Sequence, residues 1–318
     1  MERIGMIGVI SNPVKSLSSH NGGWTYACKS IIENKFNCEI DILTEKEDWD
    51  LYDTLIINEG VNYKEGVYNF FGGVSQKQID KLVKYSKFKG KVYFINEPID
   101  YNDVCSKRKE LHDLNIPLKK ANPIELSNCF SKLILGDSHS ISVYKPGYSI
   151  SRNDGKTLHG FLKEGISNYV ESLTDELVFY AGNIDVRFHI GRQMTPSNSI
   201  EDLCFKLEQQ LKELNLDKIS IVGLIPTENE SRKIPGTGKY KGENFFQSRE
   251  ERQFYVKHFN RCYKEMCERN NWTFLEWDFD YEKELPFEKM EARQSVHLRP
   301  SSYMFANEFI NVETNTLF

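Results

Sequence analysis

Ser138 and His297 are the two residues of this chain whose types and surroundings suit nucleophilic acyl transfer. Ser138 follows an aliphatic run, Leu133-Ile134-Leu135, and a Gly-Asp pair, whereas His297 lies in a polar segment near the other end of the chain. A serine hydroxyl is a poor nucleophile until a general base takes its proton, and histidine is the usual base. We therefore expect Ser138 to attack an ester carbonyl and His297 to accept the serine proton.

Strand-like and helix-like segments alternate along the chain, which predicts an α/β fold with parallel sheets. The predicted strands are 4–10, 38–43, 54–58, 91–96, 132–135, 177–181, 218–224 and 273–277. Apolar residues have helical spacing over 24–32, 76–85, 200–214 and 250–270. Because the carboxyl ends of parallel strands meet at the edge where ligands bind, we expect the strands that end before Ser138 and Asn183 to position the site.

The strand and helix pattern restarts near Cys129, after a polar, proline-containing segment (115–127) that we expect to connect two domains. A chain of 318 residues is long enough for two domains of ordinary size. We therefore predict two Rossmann-like three-layer α/β domains, residues 1–126 and 127–318. On the last predicted helix, Arg249, Arg252 and Lys257 are expected to form a solvated face.

Composition and charge argue against several classes of function. A formal net charge of −5 does not suit a chain that binds polyanions over its whole surface, and no apolar run approaches the roughly 20 residues of a membrane helix. The seven cysteines form no Cys-x-x-Cys pair, which fits reduced thiols better than disulfides or a zinc site. We therefore expect a cytoplasmic protein with no metal, no organic cofactor and no membrane partner.

Three segments resemble, in this order, the sequence blocks of the SGNH (GDSL-type) hydrolases. They are Gly136-Asp137-Ser138, Gly182-Asn183-Ile184-Asp185 and Ser295-Val296-His297-Leu298. The resemblance covers roughly residues 129–307 and implies a flavodoxin-like parallel sheet in the second domain. It also implies a serine esterase, acyl hydrolase or acyltransferase that acts on a small-molecule or glycan ester. Ser138 would then be the nucleophile and His297 the general base, while the backbone N–H of Ser138 and that of a loop glycine would hold the oxyanion.

The chain departs from the family pattern at two positions. Gln294 stands where the family has the aspartate that orients the histidine; a glutamine cannot stabilise an imidazolium by charge, so we expect a Ser–His dyad. Ile184 stands where the family has the oxyanion asparagine, and Asn183, one position earlier, is the expected donor. The glycine donor is Gly147, Gly155 or Gly160, and we select Gly160.

A charged stretch follows the second of these blocks. Its residues Asp185, Arg187 and His189 are expected either to bind an anionic part of the substrate or to form a structural ion-pair cluster. The two departures from the family pattern also favour an alternative function, a catalytically inactive binding module with an SGNH fold.

The first domain resembles the N-terminal half of phage DNA β-glucosyltransferases, from Leu55 through Asn69-Phe70-Phe71-Gly72-Gly73 to Phe94. This resemblance implies a glycosyltransferase-B-like domain that positions an acceptor such as a sugar, a glycan or a modified nucleic acid. A cluster of lysines and aromatic residues between Lys84 and Tyr93 is expected either to contact nucleic-acid phosphates or to form a solvated edge. The alternative function from this half is a phage-type, glycosyltransferase-related DNA-modification protein.

Overall fold

The computed structural model divides into two compact units, Met1–Cys129 and Phe130–Phe318, and each is described by itself. The described residues are 2–8, 19–44, 48–64, 67–70, 80, 83–85, 87–96, 122–228, 242–243, 245–292 and 295–308. Both units are built on parallel sheets with helices, so the predicted α/β fold class is confirmed. No helix in these ranges is long and apolar enough to cross a membrane.

The first unit contains one sheet. Its strands are β1 (Ile4–Gly8), β2 (Ile40–Leu43), β3 (Thr54–Lys64), β4 (Val67–Phe70), β5 (Lys91–Asn96) and β6 (Asn122–Ile124). Five of them run parallel in the order β2-β1-β3-β5-β6, and β4 pairs antiparallel with β3. Counted along the parallel strands only, this is the 2-1-3-4-5 order of flavodoxin-like doubly wound sheets.

The first helix of this unit, α1 (His20–Phe36), extends beyond the predicted range 24–32 because both of its ends are capped. The side chain of Ser19 accepts a hydrogen bond from the Gly22 amide at the amino end. Asn37 takes the left-handed conformation, with φ 50°, that commonly ends a helix. Ala27 and Ile31, four residues apart, are fully buried, which gives the helix its core-facing side.

Two expectations for the first unit can be compared with the described residues. Asn122–Ile124, within the segment predicted to connect the domains, is the edge strand β6 and pairs with β5. In the lysine–aromatic cluster, Tyr85 and Phe88 are buried and the Lys84 ammonium lies 3.6 Å from the centroid of the Trp49 ring. These two aromatic rings serve the core and cannot stack on bases, so the cluster gives no support to nucleic-acid binding.

Most of the remaining evidence for a glycosyltransferase-like first domain lies outside the described residues. Residues 71–79 are among those outside, and they include the end of the Asn69–Gly73 element and much of the predicted helix 76–85. The glycosyltransferase-B-like assignment of this unit therefore stays a prediction.

The second unit contains a five-stranded, fully parallel sheet. Its strands are β7 (Lys132–Gly136), β8 (Ser149–Arg152), β9 (Glu176–Tyr180), β10 (Lys218–Val222) and β11 (Thr273–Leu275), in the order β11-β10-β9-β7-β8. This is again the 2-1-3-4-5 order. The helices are α2 (Leu158–Glu164), α3 (Asn183–Phe188), α4 (Pro196–Glu213) and α5 (Arg249–Asn270).

The central strand β7 is apolar on both faces, with Leu133, Ile134 and Leu135 all fully buried, as expected for a strand inside a parallel sheet. It ends at Gly136, where a Cβ atom would lie only 2.1 Å from the Tyr180 carbonyl oxygen. A glycine is therefore required where β7 and β9 approach each other. This close approach sets the position of the residues that follow both strands.

Helix α5 fixes the carboxyl ends of two strands. Its amino end has a complete capping box between Ser248 and Glu251. Asn260 accepts a hydrogen bond from the Leu224 amide (2.7 Å) and donates one to the Leu224 carbonyl (3.1 Å). Tyr263 donates to the carbonyl of Ala181 (3.1 Å). The segments after β9 and β10 are thereby held against the helix.

The predicted solvated face of this last helix is wrong for Arg252. Its side chain is fully buried, and its guanidinium donates to the backbone carbonyls of Gln247 (2.5 Å) and Glu228 (2.6 Å). Lys257 on the same helix pairs with the exposed Glu282, as expected for a solvated residue. Arg252 is therefore a structural arginine that holds two loop carbonyls.

Candidate active site

Ser138 lies at the start of a tight turn directly after β7. The Asp137 amide donates to the Tyr180 carbonyl (3.2 Å), so the chain stays paired with β9 for one residue beyond the strand. The Asp137 carboxylate then accepts the His139 amide (2.8 Å) and begins the 3₁₀ turn Ser138–Val143. Ser138 is half-exposed, and within the described chain its own amide has no acceptor. The hydroxyl is thus presented at the carboxyl edge of the sheet.

His297 is held opposite this serine by a short hairpin-like loop. Met290 and Leu298 form an antiparallel bridge, and the Glu291 amide donates to the His297 carbonyl (3.1 Å). The imidazole Nε2 lies 2.9 Å from Ser138 Oγ. That distance is a direct hydrogen bond, the contact that a general base needs to take the serine proton.

The other nitrogen of His297 has a carboxylate beside it. Glu291 Oε1 lies 3.4 Å from His297 Nδ1, and the Ser295 hydroxyl donates to the same carboxylate oxygen (2.6 Å). Gln294, which occupies the sequence position of the family acid, lies outside the described residues. The acidic partner of the histidine is therefore Glu291, a residue that the sequence analysis missed.

The surroundings of His297 favour its neutral, proton-accepting form. Desolvation by the packed surroundings is the largest cause of a lowered pKa, and the neighbouring charges of His139 and Arg152 lower it further. The Glu291 carboxylate acts in the opposite direction and raises the pKa. Because a quarter of the side chain remains exposed, we expect a modest downward shift from the ordinary pKa of a histidine.

Asn183 is the best-placed side chain for an oxyanion donor. It opens α3 just beyond β9, the strand beside β7, and it is buried. Its side-chain nitrogen has no acceptor other than the neighbouring Tyr180 hydroxyl among the described residues. Burial raises the pKa of Tyr180, and a hydrogen bond from Asn183 offsets part of that rise. Gly182, with φ 120°, makes the turn into α3 that sets Asn183 at this edge.

Gly160 does not have the role expected for it. It lies in the first turn of α2, and its amide donates to the Thr157 hydroxyl (2.9 Å). That amide is already used to cap the helix, so it is not available to an oxyanion. Gly147 and Gly155, the two alternatives, have φ values of 84° and 76° and act as turn residues.

The structure does not gather Asp185, Arg187 and His189 into one substrate-binding cluster. The buried Asp185 carboxylate accepts the amides of Leu158 (2.7 Å) and His159 (3.3 Å) at the start of α2, and burial raises its pKa to about 7. Arg187 is buried too, but on another side of α3. It makes a two-pronged ion pair with the buried Glu228, with a distance of 3.0 Å from Nε to Oε2.

His189 lies with Asp185 on a separate cavity of about 540 Å³, whose other lining residues include His159, Asp202 and Lys206. Ser138, His297 and Glu291 are not among its lining residues. Of the two alternatives for this stretch, the structural role therefore fits Asp185 and Arg187. Asp185 bonds the amides at the start of α2, and Arg187 pairs with Glu228. Among the residues described, no group of three His, Cys, Asp or Glu side chains is placed to hold a metal ion.

No family model matches this chain, and no curated protein matches it. Solved structures do, among them an acetyl xylan esterase that is 16% identical over 57% of this chain and 99% of its own, with a TM-score of 0.38. A GDSL-like lipase from Bacteroides thetaiotaomicron VPI-5482 is 14% identical over 58% of this chain and 88% of its own (TM-score 0.39). A carbohydrate acetylesterase from Sinorhizobium meliloti is 11% identical over 59% of this chain and 100% of its own (TM-score 0.36).

The identities and TM-scores of these matches are too low to transfer an activity or a site residue to this chain. The function is therefore argued from the geometry around Ser138.

Proposed function

We propose that the second unit is a serine ester hydrolase or acyltransferase, with Ser138 as nucleophile, His297 as general base and Glu291 as the acid that orients the base. The observation that supports this proposal most directly is the 2.9 Å contact between His297 Nε2 and Ser138 Oγ. The Glu291 carboxylate, 3.4 Å from the other ring nitrogen, favours the tautomer with the proton on Nδ1. Nε2 is then free to accept.

The reaction follows from these positions. Ser138 Oγ attacks the ester carbonyl carbon while its proton passes to His297 Nε2, and a tetrahedral intermediate forms. When that intermediate collapses, the C–O bond to the alcohol breaks, and His297 returns the proton to the departing alcohol oxygen. The acyl group remains on Ser138. Water completes hydrolysis by attacking this acyl-enzyme, or an acceptor hydroxyl completes acyl transfer, with His297 again accepting the proton.

The negative charge of the intermediate needs donors at the same edge. In the part of the chain that the structure describes, the Ser138 amide has no acceptor, and the Asn183 side-chain nitrogen has none other than the Tyr180 hydroxyl. Ser138 follows β7 and Asn183 follows the adjacent strand β9. The last residues of these strands, Gly136 and Tyr180, lie opposite each other in the sheet. We assign these two groups as the oxyanion donors, in place of Gly160.

We propose that the substrate is an ester of a sugar or glycan. An ester carried by a modified nucleic acid is the less favoured alternative. The two carbohydrate esterases among the similar structures make acetylated carbohydrates the first substrates to test. The lysine–aromatic cluster of the first unit gives no reason to place nucleic acid first, because its described aromatic rings are buried.

The test uses the full chain with p-nitrophenyl acetate, acetylated xylan and an excess of free sugar as acyl acceptor. We expect turnover by the wild type and a loss of about 10³-fold or more in Ser138→Ala. A fluorophosphonate should label the wild type and leave Ser138→Ala unlabelled. Ser142→Ala, on the same turn, is the matched control and should retain labelling. No Ser138-dependent turnover together with no labelling would reject the proposal and favour the binding module.

A further inference from the structure

Helices α4 and α5 pack against each other and are joined by polar contacts at two levels along their length. At the first level, Nε2 of His258 on α5 lies 3.3 Å from the Glu201 carboxylate on α4. At the second, Arg269 and Asn270 of α5 donate to the Glu208 carboxylate of α4, at 2.8 and 2.7 Å. Residue numbers rise along both helices from the first level to the second. The two helices therefore run in the same direction, and the residues between the two levels also meet.

Cys204 and Cys262 lie between these two levels. Cys204 follows Glu201 by three residues on α4, and Cys262 follows His258 by four residues on α5, which is about one helical turn in each case. The two residues carry free thiols that are hydrogen-bonded to each other. A disulfide requires two sulfur atoms to close to about 2.05 Å, and thiols in hydrogen-bond contact are already adjacent. The packing of α4 on α5 thus holds two thiols together that are far apart in the sequence.

The two thiols differ in exposure and in acidity. Cys204 is 5% exposed, and burial is the main cause that raises its pKa well above the ordinary value. Cys262 is half-buried, and the hydrogen bond from Cys204 is the largest cause of its lowered pKa. Burial and the carboxylates of Glu265 and Glu201 act against this lowering. Because the thiolate is the reactive form of cysteine, Cys262 is the sulfur that reacts first, beside a Cys204 thiol that stays protonated.

We propose that Cys204 and Cys262 are a redox-active dithiol, which a hydroperoxide oxidises to a disulfide that joins α4 to α5. The Cys262 thiolate attacks one peroxide oxygen and the O–O bond breaks. Cys262 becomes a sulfenic acid, and the departing oxygen takes a proton and leaves as water or an alcohol. The Cys204 sulfur then attacks the Cys262 sulfur, the S–O bond breaks, and the leaving hydroxide takes the Cys204 proton to form water. The two thiols thus give two electrons and two protons to one hydroperoxide.

The position of Cys262 gives this modification a consequence for the fold. Asn260, which bonds the amide and the carbonyl of Leu224, precedes it by two residues, and Tyr263, which bonds the Ala181 carbonyl, follows it directly. The disulfide would therefore join α4 to the part of α5 that holds the segments after β9 and β10. No step of this inference uses Ser138, so it does not depend on the proposed ester hydrolysis.

The test is a disulfide map of the wild-type full-length protein. The reduced, folded protein is treated with hydrogen peroxide, its remaining thiols are blocked with N-ethylmaleimide, and its tryptic peptides are analysed by mass spectrometry. Lys264 lies between Cys262 and Cys267, so trypsin separates these two cysteines. We expect a cross-linked pair of peptides that contains Cys204 and Cys262 and that separates on reduction. A map without this link overturns the inference, whichever other cysteines are oxidised.

Dimedone, which reacts with sulfenic acids, separates the two steps. In Cys204→Ser the second step is blocked, and we expect Cys262 to take up several-fold more dimedone than in the wild type. Cys267→Ser is the matched control, because this cysteine is on the same helix but its thiol lies 3.6 Å from the Thr273 carbonyl oxygen. It should form the same cross-link as the wild type. Equal dimedone labelling of Cys262 in Cys204→Ser and in the wild type would overturn the proposed order of steps. If a variant does not fold, the wild-type map alone decides.

Discussion

The two units have the same strand order, yet the edges where their strands end are different. In the first unit β1 ends at Gly8, which pairs with Asn58, and β3 continues beyond that pair to Lys64. In the second, β7 and β9 end side by side at Gly136 and Tyr180. Each pair lies where the strand order reverses, the position at which doubly wound sheets bind ligands. The second pair continues into Ser138 and Asn183, whereas residues 9–18, which follow Gly8, lie outside the described residues.

A buried asparagine occurs at both edges, and its surroundings differ. Asn58 is 1% exposed, and neither polar atom of its side chain has a hydrogen-bond partner in the described structure. Asn183, also buried, has no acceptor for its nitrogen other than the Tyr180 hydroxyl among the described residues, and it lies one strand away from a serine–histidine pair. The shared fold therefore determines where a site can form, and the residues after the strands decide whether one does.

The largest expected effect tests whether the second edge is catalytic at all. In His297→Ala, Ser138 loses the base 2.9 Å from its hydroxyl, and we expect kcat to fall by about 10³-fold or more. The measurement is the single-turnover release of p-nitrophenol by full-length protein. His258→Ala, a change of the same kind on α5, should keep most of the activity. Equal losses in both would show that the effect is not specific to the site.

The fold of the second unit was predictable where apolar periodicity was strong and long. The helix predicted for 250–270 is Arg249–Asn270, and the strand predicted for 132–135 is Lys132–Gly136. Strand β8 and helices α2 and α3 were missed. β8 has only four residues, Ser149–Arg152, with serine at every other position. α2 has seven residues and α3 has six, too few to show a helical period.

The site was predictable only in part, because tertiary geometry supplied the rest. Ser138 and His297 were recognisable from residue type and local pattern. Glu291 was not, because it reaches the histidine through the Met290–Leu298 bridge, and that register has no local signature. The two alternatives for Arg187 stayed open in the sequence because its partner Glu228 comes 41 residues later, after another strand. A charged side chain can be identified as buried only once the element that covers it is known.

The next largest effect tests whether Glu291 completes the site. Glu291→Gln keeps the size of the side chain and removes the charge that stabilises the His297 imidazolium, so we expect kcat to fall by about 10²- to 10⁴-fold. The pKa of His297 should also fall, because this carboxylate raises it. The acidic limb of the kcat/KM profile should therefore move to lower pH. An unchanged profile with normal kcat would leave a Ser138–His297 dyad.

A smaller effect is expected at the oxyanion donor. Asn183→Ala removes the side-chain nitrogen that we assign as an oxyanion donor, and we expect a loss of about 10²-fold in kcat with little change in KM. Asn153→Ala, a buried asparagine at the end of the neighbouring strand β8 whose nitrogen bonds the Ser151 carbonyl (3.1 Å), is the control and should affect stability more than kcat. A rise in KM alone would assign Asn183 to substrate binding.

The caps of the helices offer a comparison in stability. Helix α1 is capped by the neutral hydroxyl of Ser19. Helix α2 is capped by the Thr157 hydroxyl and, in addition, by the buried carboxyl of Asp185, which accepts the Leu158 amide. Burial raises the pKa of Asp185 from 3.8 to about 7. Between about pH 4 and pH 7 the unfolded chain loses this proton while the folded chain keeps it, so the stability from Asp185 is lost as the pH rises. We expect Asp185→Asn to gain about 1–3 kcal/mol relative to the wild type across this range, measured by urea unfolding. A constant difference would reject the raised pKa.

The smallest effect tests whether the first edge is silent in the reaction. Asn58→Leu replaces a buried amide that has no described partner by an apolar group of similar size, so the desolvation cost of the amide disappears. We expect the free energy of unfolding to rise by about 1 kcal/mol, with ester hydrolysis unchanged. Asn58→Asp, which buries a charge instead, should lower the stability. A loss of stability in Asn58→Leu would show that the amide is used in the folded state.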